Sequence, residues 1–318
     1  MTLGGGGTDL PSYSSRFGGF VITSAIDKYV YLVVKRRFEE EIRVSYSVTE
    51  IAKSVDNIKH PVVREALKLL GLKSHLEIVS IADVPAETGL GSSGSFTVSL
   101  LHALHALKDE NPPRHELAEE SCFLEIEILK EPSGVQDPYI AAFGGFICLE
   151  IAREGRVNVS NLRIKEETVH ELEDNLLFFY TGIKRSSTIV LQDQGSSIRE
   201  EGSKALEAMH HIKDIGLKVK RALESDNLSE FGMLQHEHWL AKRETSSKIS
   251  NGPIDRYYEE GLKNGALGGK LMGAGGGGFL MFYCEKDKER LRKVMSKEGL
   301  REVRFGFESE GSKIMVNF

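Results

Sequence analysis

Apolar and polar positions alternate in some stretches of this chain and recur at helical spacing in others. Residues 19–26 and 29–34 are short runs of β-branched and aromatic side chains, which predict two strands joined at Asp27-Lys28. Residues 41–46 add a third. Residues 62–70 carry a short amphipathic helical pattern, and 75–82 (HLEIVSIA) predict another strand. A loop then leads into 97–107, where Leu100, Leu101, Leu104 and Leu107 fall at helical spacing. A helix is expected over 115–130. Residues 132–137 break it, and 138–143 restart one with proline at an early position. Residues 146–151 and 157–162 form a hairpin pattern around Glu154-Gly155, and 176–180 (LLFFY) read as a strand buried on both faces. Helix is expected over most of 186–223 and 228–247, and again from Pro253 to about 262. A strand at 279–284, a helix at 287–297 and closing strands at 303–307 and 314–318 end the pattern. Mixed strands and helices followed by a helix-rich half predict an α+β protein of two lobes with a cleft between them.

Composition narrows the class. Net charge is −6, with 41 basic and 47 acidic residues interspersed, so no basic face calls for nucleic acid. Cys122, Cys148 and Cys284 stand in apolar contexts and read as buried thiols of a reducing compartment. No 18-residue apolar run and no signal peptide are present, which leads us to expect a soluble cytoplasmic protein with no membrane partner. The 32 glycines exceed the usual share of roughly 7 % and lie in clusters. Such clusters suggest loops that approach a ligand closely.

The most informative cluster is the loop at 85–96, P-A-E-T-G-L-G-S-S-G-S-F. It places Gly89, Leu90, Gly91, Ser92, Ser93, Gly94 and Ser95 where a helix begins. The first amides of a helix lack intrahelical partners, and the macrodipole adds partial positive charge. Glycines let backbone come close, so the stretch suits a phosphate chain. An ordinary capped helix after a glycine turn is the plainer reading. The three glycines also fit G-x-G-x-x-G, but the dinucleotide fold needs a second strand ending in an acidic residue about 20 residues on. Here residues 109–113 are a turn before another helix. The protein-kinase companions V-A-I-K, H-R-D and D-F-G are absent, and so is the Walker A sequence.

Two further glycine loops bracket the chain. The first is Gly4-Gly-Gly-Gly7 with Thr8-Asp9-Leu10-Pro11, and no strand is expected ahead of it. The last is 270–279, KLMGAGGGGF, with five glycines in six positions where a plain turn needs one or two. In this order the three loops resemble those of the GHMP kinases, named for galactokinase and the homoserine, mevalonate and phosphomevalonate kinases. P-x-x-x-G-L-G-S-S at 85–93 is similar to the family's phosphate loop, and K-L-M-G-A-G-G-G-G at 270–278 to its third motif. L-G-G-G-G-T-D-L-P at 3–11 looks most like the sugar-1-kinase branch acting on D-glycero-D-manno-heptose 7-phosphate. So do Gln136-Asp-Pro-Tyr139, Tyr180-Thr-Gly182, I-S-N at 249–251 and Ile254-Asp255. L-fucokinase-type domains share the first loop.

The resemblance implies a ribosomal-protein-S5-like N-terminal lobe over 1–165 and a ferredoxin-like C-terminal lobe over 166–318. It implies ATP on the loop from Gly89 to Ser95, with Gly275 and Gly276 also at the nucleotide. Mg²⁺ would be held by the Ser93 hydroxyl and Glu125, with Glu127 the rival on spacing and a solvated helix face the plainer role for either. Asp137 matches the catalytic aspartate, although an N-cap before Pro138 is an equally good use of it. Gly7, Thr8, Asp9 and Gly277 would meet the sugar. A substrate that already carries a phosphate needs a cation, and Arg185 is the candidate for its planar fork, beside the plainer reading of a solvated loop residue. In the family a basic residue precedes the first loop, nine positions ahead of the residue matching Asp9. This sequence has no such position, and we expect that it starts late, without the first strand and that residue.

The function expected is ATP- and Mg²⁺-dependent phosphorylation of the heptose 7-phosphate to the 1,7-bisphosphate. A kinase for L-fucose or galactose is the alternative within the class, and a nucleotide-binding regulator without turnover the alternative outside it. The partner expected is a small sugar or sugar phosphate, and the reading admits a homodimer. His102, His105, His210 and His211 fall in helical patterns and receive no role.

Overall fold

The computed structural model describes residues 1–85, 88–184 and 186–317. From the N-terminus the elements are β1 (Thr2–Gly4), α1 (Pro11–Phe17), β2 (Gly19–Ser24), β3 (Val30–Arg36), β4 (Ile42–Ser45), β5 (Thr49–Ala52), α2 (Pro61–Leu69) and β6 (Leu76–Ala82). Next come α3 (Ser92–Leu107), α4 (Arg114–Cys122) with a π-helical continuation over Phe123–Ile128, α5 (Gln136–Phe143), β7 (Phe146–Ile151) and β8 (Val157–Asn161). The chain ends with α6 (Glu166–Asn175), β9 (Leu176–Tyr180), α7 (Ser187–Ser197), α8 (Lys204–Glu224), α9 (Leu228–Glu244), α10 (Gly252–Lys263), β10 (Gly268–Leu271), β11 (Phe279–Tyr283), α11 (Lys288–Lys297) and β12 (Arg301–Glu302). Side-chain caps start three of the long helices. Ser203 accepts from the Leu206 amide, Asn227 from Glu230 and Asn251 from Ile254, each filling one donor that the first helical turn leaves open.

The chain forms two compact units that interleave along the sequence. One comprises Met1–Asp27, Ala86–Gly91 and Gly145–Ser309. It holds two antiparallel sheets, ordered β1-β2-β7-β8 and β10-β11-β9-β12. Every side chain of β2 is buried, because α8 packs on β1 and β2. Strands β9 and β11 pair antiparallel from Leu176↔Tyr283 to Tyr180↔Phe279. Both are apolar without alternation, since helices cover both faces. Their core includes Leu177, Phe179, Trp239, Ile254, Leu280 and Phe282, all essentially inaccessible to solvent.

The other unit comprises Lys28–Pro85, Ser92–Gly144 and Glu310–Phe318. Its sheet runs β3-β6-β4-β5, with β4 and β6 parallel and the other pairs antiparallel. Helix α3 packs on β3 and also against α4 and α5. Strand β3 alternates between a face toward α3 and an open face carrying Tyr31 and Val33.

Several expectations change. Thr2–Gly4 is a strand paired with Thr23 and Ile22 of β2, so the first glycine loop does have one ahead of it. Three residues show no period, and only the partner strand makes them β. Strands β2 and β3, consecutive in the chain, belong to different sheets. The helix expected to run to 130 turns π-helical at Phe123. At 303–307 only a single bridge forms, Phe307 to Ile26, while the strand is confined to Arg301–Glu302. Residues 314–317 pair with no strand among the described residues, and Met315 is 75 % exposed. Helices α1 and α6 and strands β5 and β10 form where the residue pattern predicts no element.

Candidate active site

The phosphate-type loop enters α3 through two left-handed residues, Gly89 (φ +81°) and Gly91 (φ +76°), and the helix begins at Ser92. Ser93, one residue into α3, is exposed. Gly94 is buried against the start of α5. A Cβ placed on it would lie 2.9 Å from the Asp137 Cβ and 3.0 Å from the Asp137 carbonyl carbon and the Pro138 nitrogen. The first turn of α3 can therefore touch Asp137 only because residue 94 has no side chain.

Asp137 occupies the first turn of α5, and the N-cap position is Val135, so the capping use of Asp137 does not apply. Part of Asp137 remains accessible, yet it is set deep enough that desolvation raises its pKa. Glu125 lies in the π-helical segment and is only 5 % exposed. Thr97, one turn along α3 from Ser93, donates to Glu125 Oε1 at 2.6 Å, and its Oγ1 lies 3.1 Å from the Ser93 carbonyl oxygen. Burial pushes the Glu125 carboxyl up to about 7; the Thr97 hydrogen bond opposes that shift, and the charges of Asp137 and Glu131 add to it. Glu127 instead points to solvent and meets Lys130 at 3.2 Å. The backbone at Ser93 and Gly94 and the side chains of Thr97, Glu125 and Asp137 thus lie together at the start of α3. No motif in the sequence singles out Thr97, although its spacing of four from Ser93 puts both on one helical face.

These groups suit a divalent cation. Mg²⁺ takes few protein oxygens and fills its octahedron with phosphate and water. An exposed hydroxyl and a buried carboxyl under acidic charge are such ligands, and a cation would relieve the desolvated carboxylate. Among the described residues no three or more His, Cys, Asp or Glu gather into a metal cage.

The other unit carries the first and third glycine loops. Thr8 is fully buried; its hydroxyl lies 2.7 Å from the Gly5 carbonyl oxygen and 2.9 Å from that of Phe20, and it accepts from the Phe20 amide at 3.0 Å. Thr8 therefore shapes the loop, and its polar atoms face the protein. Asp9 accepts from the Gly7 amide at 3.2 Å. Gln194 of α7, also buried, lies against Gly7 and donates to the Thr245 hydroxyl at 3.2 Å. In the third loop, Gly276 donates its amide to the Ile249 carbonyl at 2.7 Å, Gly275 abuts Ile249 and Gly277 abuts Ile183. This loop also seats the turn at Gly89: a Cβ on Gly273 would fall 2.4 Å from the Gly89 Cα. Arg185 lies outside the described residues. Among the described residues no helix is long and apolar enough to cross a membrane.

Comparison with known proteins fits this geometry. Residues 57–145 match the GHMP kinases N terminal domain and residues 219–300 the GHMP kinases C terminal domain. A D-glycero-alpha-D-manno-heptose 7-phosphate kinase of Campylobacter jejuni is 31 % identical, with 98 % of this chain and 96 % of that protein covered. An L-fucokinase/L-fucose-1-P guanylyltransferase of Bacteroides fragilis is 26 % identical over 93 % of this chain and 35 % of its own length. Among solved structures, a D-glycero-D-manno-heptose 1-phosphate kinase from Bacteroides thetaiotaomicron superposes with a TM-score of 0.80 at 24 % identity, covering 99 % of this chain and 97 % of that one. At that identity the likeness speaks for the fold. A putative sugar kinase of Campylobacter jejuni gives 0.76 at 29 %, covering 98 % and 94 %. The α+β fold, the ordered loops and a relative matched from end to end agree: the chain belongs to the GHMP kinases and is an ATP-dependent phosphotransferase.

Proposed function

We propose that the protein transfers the γ-phosphoryl group of ATP to the anomeric hydroxyl of D-glycero-D-manno-heptose 7-phosphate, giving the 1,7-bisphosphate. The observation that carries the reading is the contact of Gly94 with Asp137, which seats that residue against the first turn of the phosphate-type helix. In this reading Asp137 orients the anomeric hydroxyl and accepts its proton as the oxygen attacks the γ-phosphorus and ADP leaves. A raised pKa suits a group that must take up a proton. Phosphoryl transfer otherwise asks for positioning and charge neutralisation more than covalent chemistry. The amides of residues 89–95 would hold the phosphates. Ser93 and Glu125 would hold Mg²⁺, which supplies neutralisation of charge on the phosphate oxygens. Thr97 keeps the Glu125 carboxylate turned toward α3. Gly7 and Asp9 would border the sugar. Arg185 is proposed as the cation for the 7-phosphate. A kinase that draws on ATP and a sugar phosphate belongs in the cytoplasm.

The choice of sugar rests on the relative named for heptose 7-phosphate, identical at 31 % of aligned positions. The fucokinase relative keeps L-fucose as the second reading. An ATP-consumption assay with Mg²⁺ over the heptose 7-phosphate, L-fucose, galactose and mevalonate separates them, with Asp137→Ala as control. Turnover on the heptose phosphate, lost in the control, is expected. Arg185→Ala should then raise the KM for that sugar and leave the KM for ATP unchanged. Turnover on a free sugar alone would replace the heptose reading, and ATP binding without turnover on any of them would end it.

A further inference from the structure

Helix α9 presents Gln235, His238 and Lys242 at spacings of three and four, which places them along one face. That face meets β10, where Lys270 is 2 % exposed. The hydrogen bonds that Gln235, Lys242 and Lys270 make end on backbone carbonyls at the ends of β1 and β10, where the first and third glycine loops begin. Gln235 Nε2 and Lys270 Nζ both donate to the Leu3 carbonyl oxygen, each at 3.0 Å. Lys242 Nζ donates to the carbonyl oxygens of Leu271 at 3.0 Å and Gly273 at 2.5 Å. Leu3 is the root of the first glycine loop, and Leu271 and Gly273 are the root of the third. Both ring nitrogens of His238 are buried without a hydrogen-bond partner among the described residues, as is Gln235 Oε1.

This arrangement is expensive. Burial lowers the pKa of Lys242 to about 8, and burial together with Lys242 drives that of Lys270 well below its usual value. His238 is driven well below its usual value by burial and by the charges of Lys270, Lys242 and His211. Lys270 is buried and Lys242 half-buried, and among the described residues neither meets an acidic partner; cations so placed destabilise a fold, and apolar side chains of similar size commonly do better there. Such groups persist where they serve something other than stability.

We propose that Lys242 and Lys270 are positioning residues that fix the roots of the third and first glycine loops for phosphoryl transfer. Lys242 acts on the nucleotide side. It pins Gly273, and Gly273 is packed on Gly89, so the turn that opens the phosphate-type loop takes its place from the same ammonium. Lys270 acts on the sugar side through Leu3.

The inference rests on the proposed kinase reading, and the test separates the two. Lys242→Met and Lys270→Met are compared with the wild type on whichever sugar the wild type phosphorylates. A hydrogen bond to a charged group shifts a conformational equilibrium by roughly tenfold or more, and a loop root released by that factor loses as much in the affinity that depends on it. Lys242→Met is therefore expected to raise the KM for ATP at least tenfold and to leave that for the sugar within twofold; Lys270→Met should do the reverse. The melting temperature of each should stay level or rise, an outcome that a merely structural lysine would not give. An unchanged ATP KM in Lys242→Met overturns the proposal, and so does a lowered melting temperature with unchanged kinetics. If Lys242→Met does not fold, Lys242→Gln, which keeps an amide donor but loses the charge and the reach of the ammonium, takes its place; failure of both to fold also overturns it. If the wild type phosphorylates no sugar, the kinase reading falls by itself. Amide exchange at residues 273–278 then decides on the clamp, with faster exchange in Lys242→Met expected and equal exchange refuting it.

Discussion

Replacing Gly94 by alanine tests the geometry of the proposed site with a single methyl group. The added carbon would stand 2.9 Å from the Asp137 Cβ and 3.0 Å from the backbone on either side of the Asp137–Pro138 bond. Carbon atoms rest at roughly 3.5–4.0 Å, so the start of α5 must retreat by about 0.5 Å or more. The neighbours are backbone and a Cβ, which cannot swing aside as the tip of a long side chain can. Two terms act on stability in opposite directions. Alanine is better than glycine inside a helix by about 1 kcal/mol. Overpacking costs about 1–3 kcal/mol. The net loss is about 0–2 kcal/mol, which leaves most of the protein folded at room temperature. Catalysis is the more sensitive reporter. A displacement of 1 Å at a reacting group can cost about a hundredfold, so half of that predicts about a tenfold fall in kcat. The KM for ATP should change little, since the helix-start amides remain. The assay is steady-state turnover alongside a thermal melt. A second arm is the same change in an Asp137→Ala background, where the alanine at 94 should cost nothing more because the group it displaces is gone. Wild-type kcat in folded Gly94→Ala, or a full tenfold loss on top of Asp137→Ala, would refute the claim that Gly94 acts by seating Asp137.

Three further outcomes follow from the same cluster. Asp137→Asn should lower kcat by about 10²–10⁴ with the melting temperature close to the wild type; a loss below tenfold would remove Asp137 from proton transfer. Burial pushes the Glu125 carboxyl up to about 7 from the 4.5 usual for a glutamate, so the folded state binds the extra proton between those values. Stability should therefore fall as pH rises from about 4.5 to about 7 and level off above, by about 3 kcal/mol at most from this group. Melts of wild type and Glu125→Gln across that window check it, and parallel curves would show that Glu125 does not titrate there. Thr97→Val removes the hydrogen bond that holds down the Glu125 pKa, so the midpoint of that fall should move to higher pH while kcat drops through the misdirected carboxylate. A midpoint that stays in place would mean that Thr97 does not set it.

What could be read in the sequence was set by local chemistry, and what could not was set by contacts between distant segments. The strand Leu76–Ala82, the left-handed glycines 89 and 91 and a helix running to Leu107 are legible in the local residues, but the helix begins at Ser92, ahead of the periodic run that starts at Thr97. The runs LLFFY and FLMFY were legible as buried strands, and they pair with each other. Strand β1 was not, because three residues have no period until β2 supplies a partner. The reverse error arose at 314–318, where an apolar run looked like a strand, yet the described part of it joins no sheet. Spacing alone could not separate Glu125 from Glu127. The π-helical turn at Phe123–Ile128 does so, since Glu125 is buried beneath Thr97 while Glu127 reaches Lys130 in solvent. An extra residue in a helical turn re-aims the side chains after it, and such bulges gather at functional sites. Lys242 and Lys270 were invisible for a related reason. A lysine in a sequence reads as a solvated residue, and only the folded chain shows it spent on loop carbonyls. Both failures fall where the fold departs from what local preference and stability would choose, which is where the demands of a reaction would leave a mark.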